Sequence, residues 1–246
     1  MFGWHGTLPG GGEWGFTSRA PGVGAPPYDG FNLGGHVGDD LATVLSNRRA
    51  LAARLAVPTD HLVHMDQVHG ADVVRVHGPA DGGRCADAMV TTARGLALAV
   101  LVADCVPILL ADPASGVCAV AHAGRAGFVA GVVPAVVAAA RSAGATDLRA
   151  VVGPSICPRC YEVPDSLRAQ AAAVSPAAYA VSWTGTAAVD IAAGVVDQLV
   201  ALEVPTTWVP GCTREDDRYY SHRRGAPTGR FAGVVRLGPA TGSQED

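Results

Sequence analysis

The chain has 246 residues, of which 49% are hydrophobic and 16% are charged, a composition typical of a globular protein and not of a disordered one. Its net charge of −4 provides no basic field for a nucleic acid, so we expect no nucleic-acid partner. The sequence shows neither a signal peptide nor an apolar run long enough to cross a bilayer, so we predict a cytoplasmic protein without a membrane partner, with its six cysteines reduced.

The first half of the chain favours strands with one helix. Residues 1–36 are rich in Gly and Pro and predict short strands and loops. From Asp39, capping-type residues precede apolar residues at helical spacing, which predicts a helix. Alternating β-branched residues predict strands on either side of Gly70. The continuous apolar run over residues 96–103 predicts a strand that is buried on both faces.

The second half mixes both element types. We predict a strand, a turn and a strand over residues 107–122 and a helix over residues 127–144. A further strand is predicted over residues 148–156, and helices are predicted over residues 164–174 and 187–202. Strand-like segments follow over residues 206–213 and 231–237. Because strands and helices do not alternate strictly, we predict one α/β domain over residues 1–246, with a mixed β-sheet and without doubly wound topology.

Three residues could hold a metal: His69, Cys105 and His122. Cys105 and His122 both stand where an apolar strand ends, which holds a side chain rigidly beside a loop. Two imidazoles and one thiolate suit zinc, and three protein ligands leave a fourth position open, as in catalytic zinc sites. Spacing alone leaves open that a buried cysteine and two histidines share no role. Asp104 could orient a ligand from behind or cap the strand end.

Cys157 and Cys160 form a C-x-x-C motif, the spacing of half a zinc knuckle or of a redox pair. A knuckle needs a second pair of ligands, and the neighbouring sequence supplies none. The motif follows a predicted strand but lies in a loop, which meets the thioredoxin-like context only in part. We therefore predict that these thiols form neither a second zinc site nor an essential redox pair.

Residues 212–230 concentrate arginine and tyrosine, although the whole chain carries a net negative charge. The segment contains Arg214, Arg218, Arg223, Arg224, Arg230, Tyr219 and Tyr220. Guanidinium groups suit phosphate or carboxylate, and tyrosine rings offer stacking surface. The segment therefore predicts a site for an anion or a base, with a solvated loop as the alternative.

Eight short motifs, taken in order and spacing, resemble the laccase-domain proteins, which are known variously as polyphenol oxidases, purine nucleoside phosphorylases with adenosine deaminase activity, and peptidoglycan editing factors. They span nearly the whole chain and read YDGFNLGGHVGDD, NRRALA, MDQVHGADV, ADAMVTT, VADCVPILLAD, AHAG, GPSICPRCYEV and CTREDDRYYSHRRGAPTGR. The family's metal ligands are the His of Q-V-H-G, the Cys of A-D-C-x-P and the His of H-A-G. They fall on His69, Cys105 and His122.

The resemblance implies a single-domain layered α/β fold with a zinc ion, copper being the alternative metal. It implies phosphorolysis of adenosine, inosine and guanosine to the base and ribose 1-phosphate, and deamination of adenosine to inosine. The expected partners are therefore a purine nucleoside and phosphate, bound by a monomer or small homo-oligomer. The family's pocket arginine falls on Arg48, with Arg49 as second choice, and its Asn of F-N-L falls on Asn32. Arg223 and Arg224 are further predicted substrate contacts.

One departure follows His122, where the family reads H-A-G-W-R-G and this chain reads HAGRAG. We predict that Arg125 takes over an anion contact there, or that phosphorolysis is weak. Two other activities stay open: a copper-dependent polyphenol oxidase, and an amidohydrolase that edits peptidoglycan precursors carrying muramyl-serine. Multicopper oxidases need many histidine ligands, which a chain with eight histidines does not easily supply.

Overall fold

The computed structural model describes residues 1–238. Its strands are β1 (Phe2–Leu8), β2 (Gly12–Thr17), β3 (Leu62–His64), β4 (Val73–Val76), β5 (Ala88–Thr91), β6 (Ala97–Val102), β7 (Val106–Asp112), β8 (Val117–Ala123), β9 (Arg149–Val152), β10 (Tyr179–Val181), β11 (Ala187–Val189), β12 (Thr206–Trp208) and β13 (Phe231–Arg236). Its α-helices are α1 (Leu41–Arg54), α2 (Arg125–Ala130), α3 (Val132–Ser142), α4 (Asp165–Val174) and α5 (Ile191–Ala201). Within these residues, no helix combines the length and hydropathy needed to cross a membrane.

Most strands belong to two mixed sheets. The first sheet has the order β1-β2-β13-β6-β3, and the second has the order β12-β9-β7-β8-β5-β4. Each contains parallel and antiparallel neighbours, for example β3 parallel to β6 and β7 antiparallel to β8. A separate hairpin joins β10 and β11. The predicted α/β fold with mixed β-structure is confirmed, and its main strands divide between two sheets.

The sheets face each other, and helices cover their outer faces. Alternate residues of β6 serve different cores: Leu98 and Val100 lie between the sheets, while Ala99 and Leu101 lie in the cluster that includes residues of α1. Helices α2 to α5 cover the outer face of the second sheet. Successive residues of a strand point to opposite faces of the sheet. A strand covered by apolar residues on both faces therefore needs apolar residues at every position, which explains the continuous apolar runs.

Two predicted helices have different bounds in the structure. The helix predicted over residues 127–144 is divided between α2 and α3, because Gly131 adopts the left-handed conformation at φ 92°. The helix predicted over residues 187–202 begins at Ile191, since β11 precedes it and pairs with β10. Asp190 caps this helix by accepting a hydrogen bond from the backbone N–H of Ala193 at 2.9 Å.

Asp112 ends β7 and fixes the turn to β8. Its buried carboxylate accepts hydrogen bonds from the backbone N–H groups of Ser115 at 3.0 Å, Thr146 at 2.7 Å and Asp147 at 2.8 Å. Burial opposes ionisation, but these hydrogen bonds outweigh it and hold the pKa of Asp112 well below its ordinary value of 3.8. The carboxylate therefore joins the hairpin to the loop that follows α3.

Asp112→Asn should lower the free energy of unfolding by about 1.5–3 kcal/mol, because an amide nitrogen replaces an accepting oxygen that faces N–H groups. A carboxylate with a lowered folded-state pKa stabilises the fold above its unfolded pKa, and this contribution is lost as the pH falls toward the folded pKa. The difference between the two proteins should therefore be full at neutral pH and shrink below about pH 4. Urea unfolding at several pH values measures it, with the exposed Asp147→Asn as control. A difference that is constant down to about pH 2 would contradict the assignment.

Candidate metal centre

The register of the second sheet brings two predicted ligands to one end of it. Asp87 directly precedes β5, and its backbone carbonyl accepts a hydrogen bond from the backbone N–H of His122 in β8 at 2.8 Å. Cys105 directly precedes β7, and the β7–β8 register, continued by one residue, sets it opposite Gly124. Cys105 and His122 therefore both lie at this end of the sheet. They occupy the alternate positions whose side chains face the first sheet.

Cys105 lies where the chain crosses from the first sheet to the second. Strand β6 ends at Val102 and β7 begins at Val106, so residues 103–105 make the crossing. Asp104 has φ 93°, a conformation that residues with a Cβ rarely adopt. Its carboxylate accepts hydrogen bonds from the Thr213 hydroxyl at 2.6 Å and the Arg223 backbone N–H at 2.8 Å. Asp104, the residue before Cys105, therefore anchors the arginine-rich segment at the crossing.

His69 lies on the loop after β3, and two side chains fix that loop. The Gln67 amide donates to the backbone carbonyl of Leu101 at 2.7 Å and accepts from its N–H at 2.8 Å, which docks the loop on β6. His69 has φ 61°, and the successive backbone N–H groups of residues 68–70 donate to the Asp87 carboxylate at 3.2, 2.9 and 2.6 Å. Such a run of N–H groups is an anion-binding nest, here filled by a side chain.

The same carboxylate orients His122. Asp87 Oδ1 lies 2.8 Å from His122 Nδ1, and both side chains are almost completely buried. This bond fixes the ring and leaves Nε2 available to a metal. Although burial opposes ionisation, hydrogen bonds from His122, Gly70 and His69 lower the pKa of Asp87. One buried carboxylate therefore positions the backbone of His69 and the ring of His122.

The three ligand atoms lie close enough to share one ion. The rings of His69 and His122 have centroids 4.7 Å apart and planes at 78°, and Cys105 Sγ lies 3.9 Å from His69 Nε2. One ligand atom from each residue lies within 4.8 Å of the other two. Zinc binds nitrogen at about 2.0–2.1 Å and sulfur at about 2.3 Å, so its ligand atoms lie roughly 3–4 Å apart. The donors and their spacing therefore fit zinc, and the same donor types suit copper.

Gly124 leaves the room that two ligands occupy, because a Cβ there would lie 2.7 Å from His69 Cδ2 and 3.1 Å from Cys105 Sγ.

Burial opposes a charged thiolate at Cys105, but the charge and hydrogen bond of His122, with help from His69, lower the pKa of this thiol to about 6. For His122, burial is likewise outweighed by Cys105 and Asp87, which raise its pKa to about 9. The pair stabilises thiolate and imidazolium together, and a bound cation would take the place of the proton.

A cavity of about 400 Å³ opens over the ligands. Besides the three ligands, its lining consists of His36, Gln67, Leu101, Val102, Ala103, Asp104, Tyr161, His222, Arg223 and Arg230. In the described part of the chain, no carboxylate lies within 4.0 Å of the guanidinium of Arg223 or Arg230, whereas Arg218 and Arg224 form ion pairs with neighbouring aspartates. The cavity therefore presents two guanidinium groups, without a direct ion-pair partner among the described residues, beside the metal ligands.

Of the five residues predicted individually as substrate contacts, Arg223 lines this cavity and the other four do not. Arg230, which belongs to the predicted arginine-rich segment, also lines it. Arg48 Nη1 meets His64 Nε2 at 2.6 Å and borders a separate small cavity. Asn32 is fully buried, and its side-chain oxygen accepts from the backbone N–H of Arg230 at 2.8 Å. Asn32 thus positions an arginine that does line the cavity.

Arg224 and Arg125 also lie outside the lining. The Arg224 guanidinium donates to backbone carbonyls of its own loop, which it holds in shape. Arg125 begins α2, directly after Gly124, the residue that the β7–β8 register sets opposite Cys105. Tyr219 and Tyr220 are fully buried in the core between the sheets, so the prediction that they offer a stacking surface is wrong.

Sequence reasoning missed Asp87, the carboxylate that organises the centre. It stands in the motif ADAMVTT, directly before β5, a strand that the sequence analysis did not predict. A strand there, paired with β8, would have set Asp87 beside His122. His36, Tyr161 and His222 likewise stand in motifs of the resemblance, but no pattern distinguishes them from their neighbours.

The expectation that Cys157 and Cys160 lack further ligands nearby is wrong. Cys212 and Glu215 lie beside them, with one ligand atom from each of the four residues within 4.8 Å of the others. The second pair is more than fifty positions away along the chain, so inspection of the neighbouring sequence did not find it.

Asp87→Asn should weaken zinc binding about 10- to 100-fold, the usual cost of losing a partner that orients a ligand. The amide keeps the size of the side chain but exchanges an accepting oxygen for a donor that faces N–H groups. Competition with a chromogenic chelator measures the zinc affinity. Asp72→Asn is the matched control, since Asp72 is exposed and only its backbone carbonyl contacts the residues around Asp87. Equal zinc affinity in wild type and Asp87→Asn would contradict the role of Asp87.

Comparison with known proteins agrees with the motifs. The family model described as multi-copper polyphenol oxidoreductase laccase matches residues 13–238. A purine nucleoside phosphorylase of Streptomyces coelicolor is 54% identical, over 92% of this chain and 96% of that protein, and one of Mycobacterium bovis is 46% identical, over 89% of each. The crystal structure of YlmD from Geobacillus stearothermophilus matches with a TM-score of 0.84 at 32% identity, over 94% of this chain and 93% of that one. The chain therefore belongs to the multi-copper polyphenol oxidoreductase laccase family, the laccase-domain proteins that its motifs resemble.

Proposed function

We propose that this chain is a zinc-dependent purine nucleoside phosphorylase that also deaminates adenosine. The observation that carries the proposal is one cavity with three metal ligands and two arginines that have no carboxylate partner in the described residues. Its volume of about 400 Å³ is within the range of small-molecule sites. Relatives at 46–54% identity are named purine nucleoside phosphorylase, which supports the phosphorylase part of the proposal.

Arg223 and Arg230 are the proposed phosphate ligands. Arg223 Nη1 donates to the backbone carbonyl of Glu162 at 3.0 Å, and the guanidinium lies 5.0 Å from the centre of the Tyr161 ring. Arg230 Nη1 donates to the backbone carbonyls of Thr228 and Gly229 at 2.9 and 3.0 Å. Each guanidinium is held through one nitrogen, and its other N–H groups suit bidentate contact with phosphate oxygens.

Phosphorolysis breaks the bond between C1′ of the ribose and N9 of the purine. A phosphate oxygen attacks C1′, and the purine leaves with the bonding electrons. The arginines would hold the phosphate, and the apolar wall of Leu101, Val102 and Ala103 would take the base or sugar. Burial and the charge of Arg230 lower the pKa of His36, so its imidazole is neutral and can donate a hydrogen bond to the leaving base. A bound divalent metal would supply Lewis acidity at the cavity floor.

Deamination of adenosine uses water instead of phosphate. Water adds to C6 of the purine, and ammonia leaves. The phosphate ligands are not required for this reaction, so the two activities can be separated by substitution. His36 and His222 are the cavity imidazoles outside the metal set that could move the proton.

Adenosine turnover by zinc-loaded protein, with and without phosphate, tests the function. Wild type should form adenine and ribose 1-phosphate with phosphate, and inosine without it. Cys105→Ser should lose both activities together with the ion of this centre. Cys85→Ser, an exposed thiol outside both cysteine-containing clusters, should keep them. Absence of turnover of adenosine, inosine and guanosine by wild type would overturn the proposal, and cleavage of a muramyl-serine precursor would favour the amidohydrolase.

A second candidate, copper-dependent phenol oxidation, has one observation in its favour: two imidazoles and one thiolate also suit copper. The other candidate cluster within residues 1–238 contains no histidine, so a multi-copper centre would lack its usual ligands. Bound copper together with phenol oxidation in the purified protein would support this candidate, and a colourless zinc protein without phenol oxidation would exclude it.

Arg223→Ala and Arg230→Ala should each lower kcat/KM for phosphate about 10- to 150-fold, because a charge-assisted hydrogen bond contributes about 1.5–3 kcal/mol. Deamination should change much less, since no phosphate takes part. Arg218→Ala is the control, because Arg218 lies in the same segment but is paired with Asp216. If Arg125 supplies the predicted additional contact, Arg125→Ala should also lower phosphorolysis more than deamination. Equal losses of both activities in Arg223→Ala and Arg230→Ala would count against phosphate binding by these residues.

A further inference from the structure

Four potential ligands outside the cavity over the first centre lie together: Cys157, Cys160, Cys212 and Glu215. The backbone N–H of Cys157 donates to Cys212 Sγ at 3.4 Å, and the Cys160 thiol donates to Glu215 Oε1 at 3.4 Å. Both hydrogen bonds join the segment of residues 157–160 to the segment of residues 212–215. The four residues are referred to below as the Cys₃Glu cluster. Cys160 is buried, Cys157 and Cys212 are half-buried, and Glu215 is exposed.

The backbone holds the two segments side by side. The N–H of Ser155 donates to the carbonyl of Gly211 at 3.3 Å, and the N–H of Thr213 donates to the carbonyl of Ser155 at 3.1 Å. Beyond this bridge, each segment turns within three residues. The turn Pro158–Cys160 brings the first pair of thiols together, and the N–H of Glu215 donates to the carbonyl of Cys212 at 3.1 Å.

The two turns repeat one ligand spacing. Cys157 and Cys160 are three positions apart, as are Cys212 and Glu215. Zinc sites built from two short segments use this C-x-x-C spacing twice, and here a glutamate takes the fourth place. A dithiol redox pair would need only the first two thiols. The third thiol and the carboxylate have a direct role if the cluster binds a cation.

We propose that the Cys₃Glu cluster binds a second zinc ion in a closed structural site. Three thiolates and one carboxylate are all zinc ligands, and four protein ligands complete a tetrahedron. The first centre has three ligands and keeps a position for substrate, whereas this site leaves none. The second ion would therefore stabilise the fold and take no direct part in the reaction.

The ion would connect two walls of the substrate cavity. Tyr161, which lines the cavity, directly follows Cys160. Thr213 directly follows Cys212, and its hydroxyl donates to the Asp104 carboxylate at 2.6 Å. Because Asp104 precedes Cys105, the second site would hold the loops around the first centre through this short chain of contacts.

Zinc content of protein purified and loaded under reducing conditions tests the proposal. Wild type and Cys85→Ser should hold two zinc ions per chain, Cys212→Ser and Cys105→Ser one each, and the double variant Cys105→Ser/Cys212→Ser none. Equal zinc content in wild type and Cys212→Ser, or no zinc in folded Cys105→Ser, would overturn it. Activity is not used, so failure of the proposed enzymatic function would not affect this result.

A second measurement covers the case in which Cys212→Ser does not fold. Cobalt loaded into Cys105→Ser should give the intense sulfur-to-cobalt charge-transfer bands of a site with several thiolates, and the Tm of Cys105→Ser should rise when zinc is added. Glu215→Gln in the same background should weaken the metal affinity and reduce that rise. Absence of both the bands and the rise in Cys105→Ser would overturn the second site.

Discussion

The candidate centre depends on a single buried carboxylate. The Asp87 carboxylate accepts hydrogen bonds from three successive backbone N–H groups in the loop of His69 and contacts the Nδ1 atom of His122. Loss of the carboxylate would leave the loop N–H groups without their acceptor and the His122 imidazole without its support. The hydrogen bonds keep Asp87 charged despite its burial, so its negative charge also favours a cation among the three ligands.

The placement of that carboxylate follows from the two-sheet architecture. The second sheet supplies Asp87, Cys105 and His122 at one end, and the first sheet supplies the loop of His69 after β3. The chain crosses between the sheets at residues 103–105, where Asp104 holds an unfavourable φ of 93° through two hydrogen bonds. The centre therefore lies where the sheets meet, and the arginine-rich segment closes the cavity over it. This arrangement places the metal ligands beside two guanidinium groups, those of Arg223 and Arg230.

The sequence was sufficient for several features and insufficient for others, for identifiable reasons. Apolar runs predicted most strands, and motif order identified the three residues whose ligand atoms the fold brings together. Periodicity indicates that a strand such as β6 is buried on both faces, but it does not say whether a sheet or a helix covers each face. Asp87 was missed because its role depends on pairing between β5 and β8, and the Cys₃Glu cluster was missed because its halves are distant along the chain. The arginine-rich segment contributes Arg223 and Arg230 to the cavity lining, yet its tyrosines fill the core, since composition does not reveal side-chain direction.

The most direct test of the metal centre is anomalous diffraction at the zinc absorption edge, from crystals of the zinc-loaded protein. The structure predicts a peak bonded to His69 Nε2, Cys105 Sγ and His122 Nε2, with nitrogen bonds of about 2.0–2.1 Å, a sulfur bond of about 2.3 Å and a fourth position open toward the cavity. Asp87 should remain hydrogen-bonded to His122 Nδ1 in that structure. A zinc-loaded crystal with no anomalous peak within bonding distance of these three atoms would contradict the central claim.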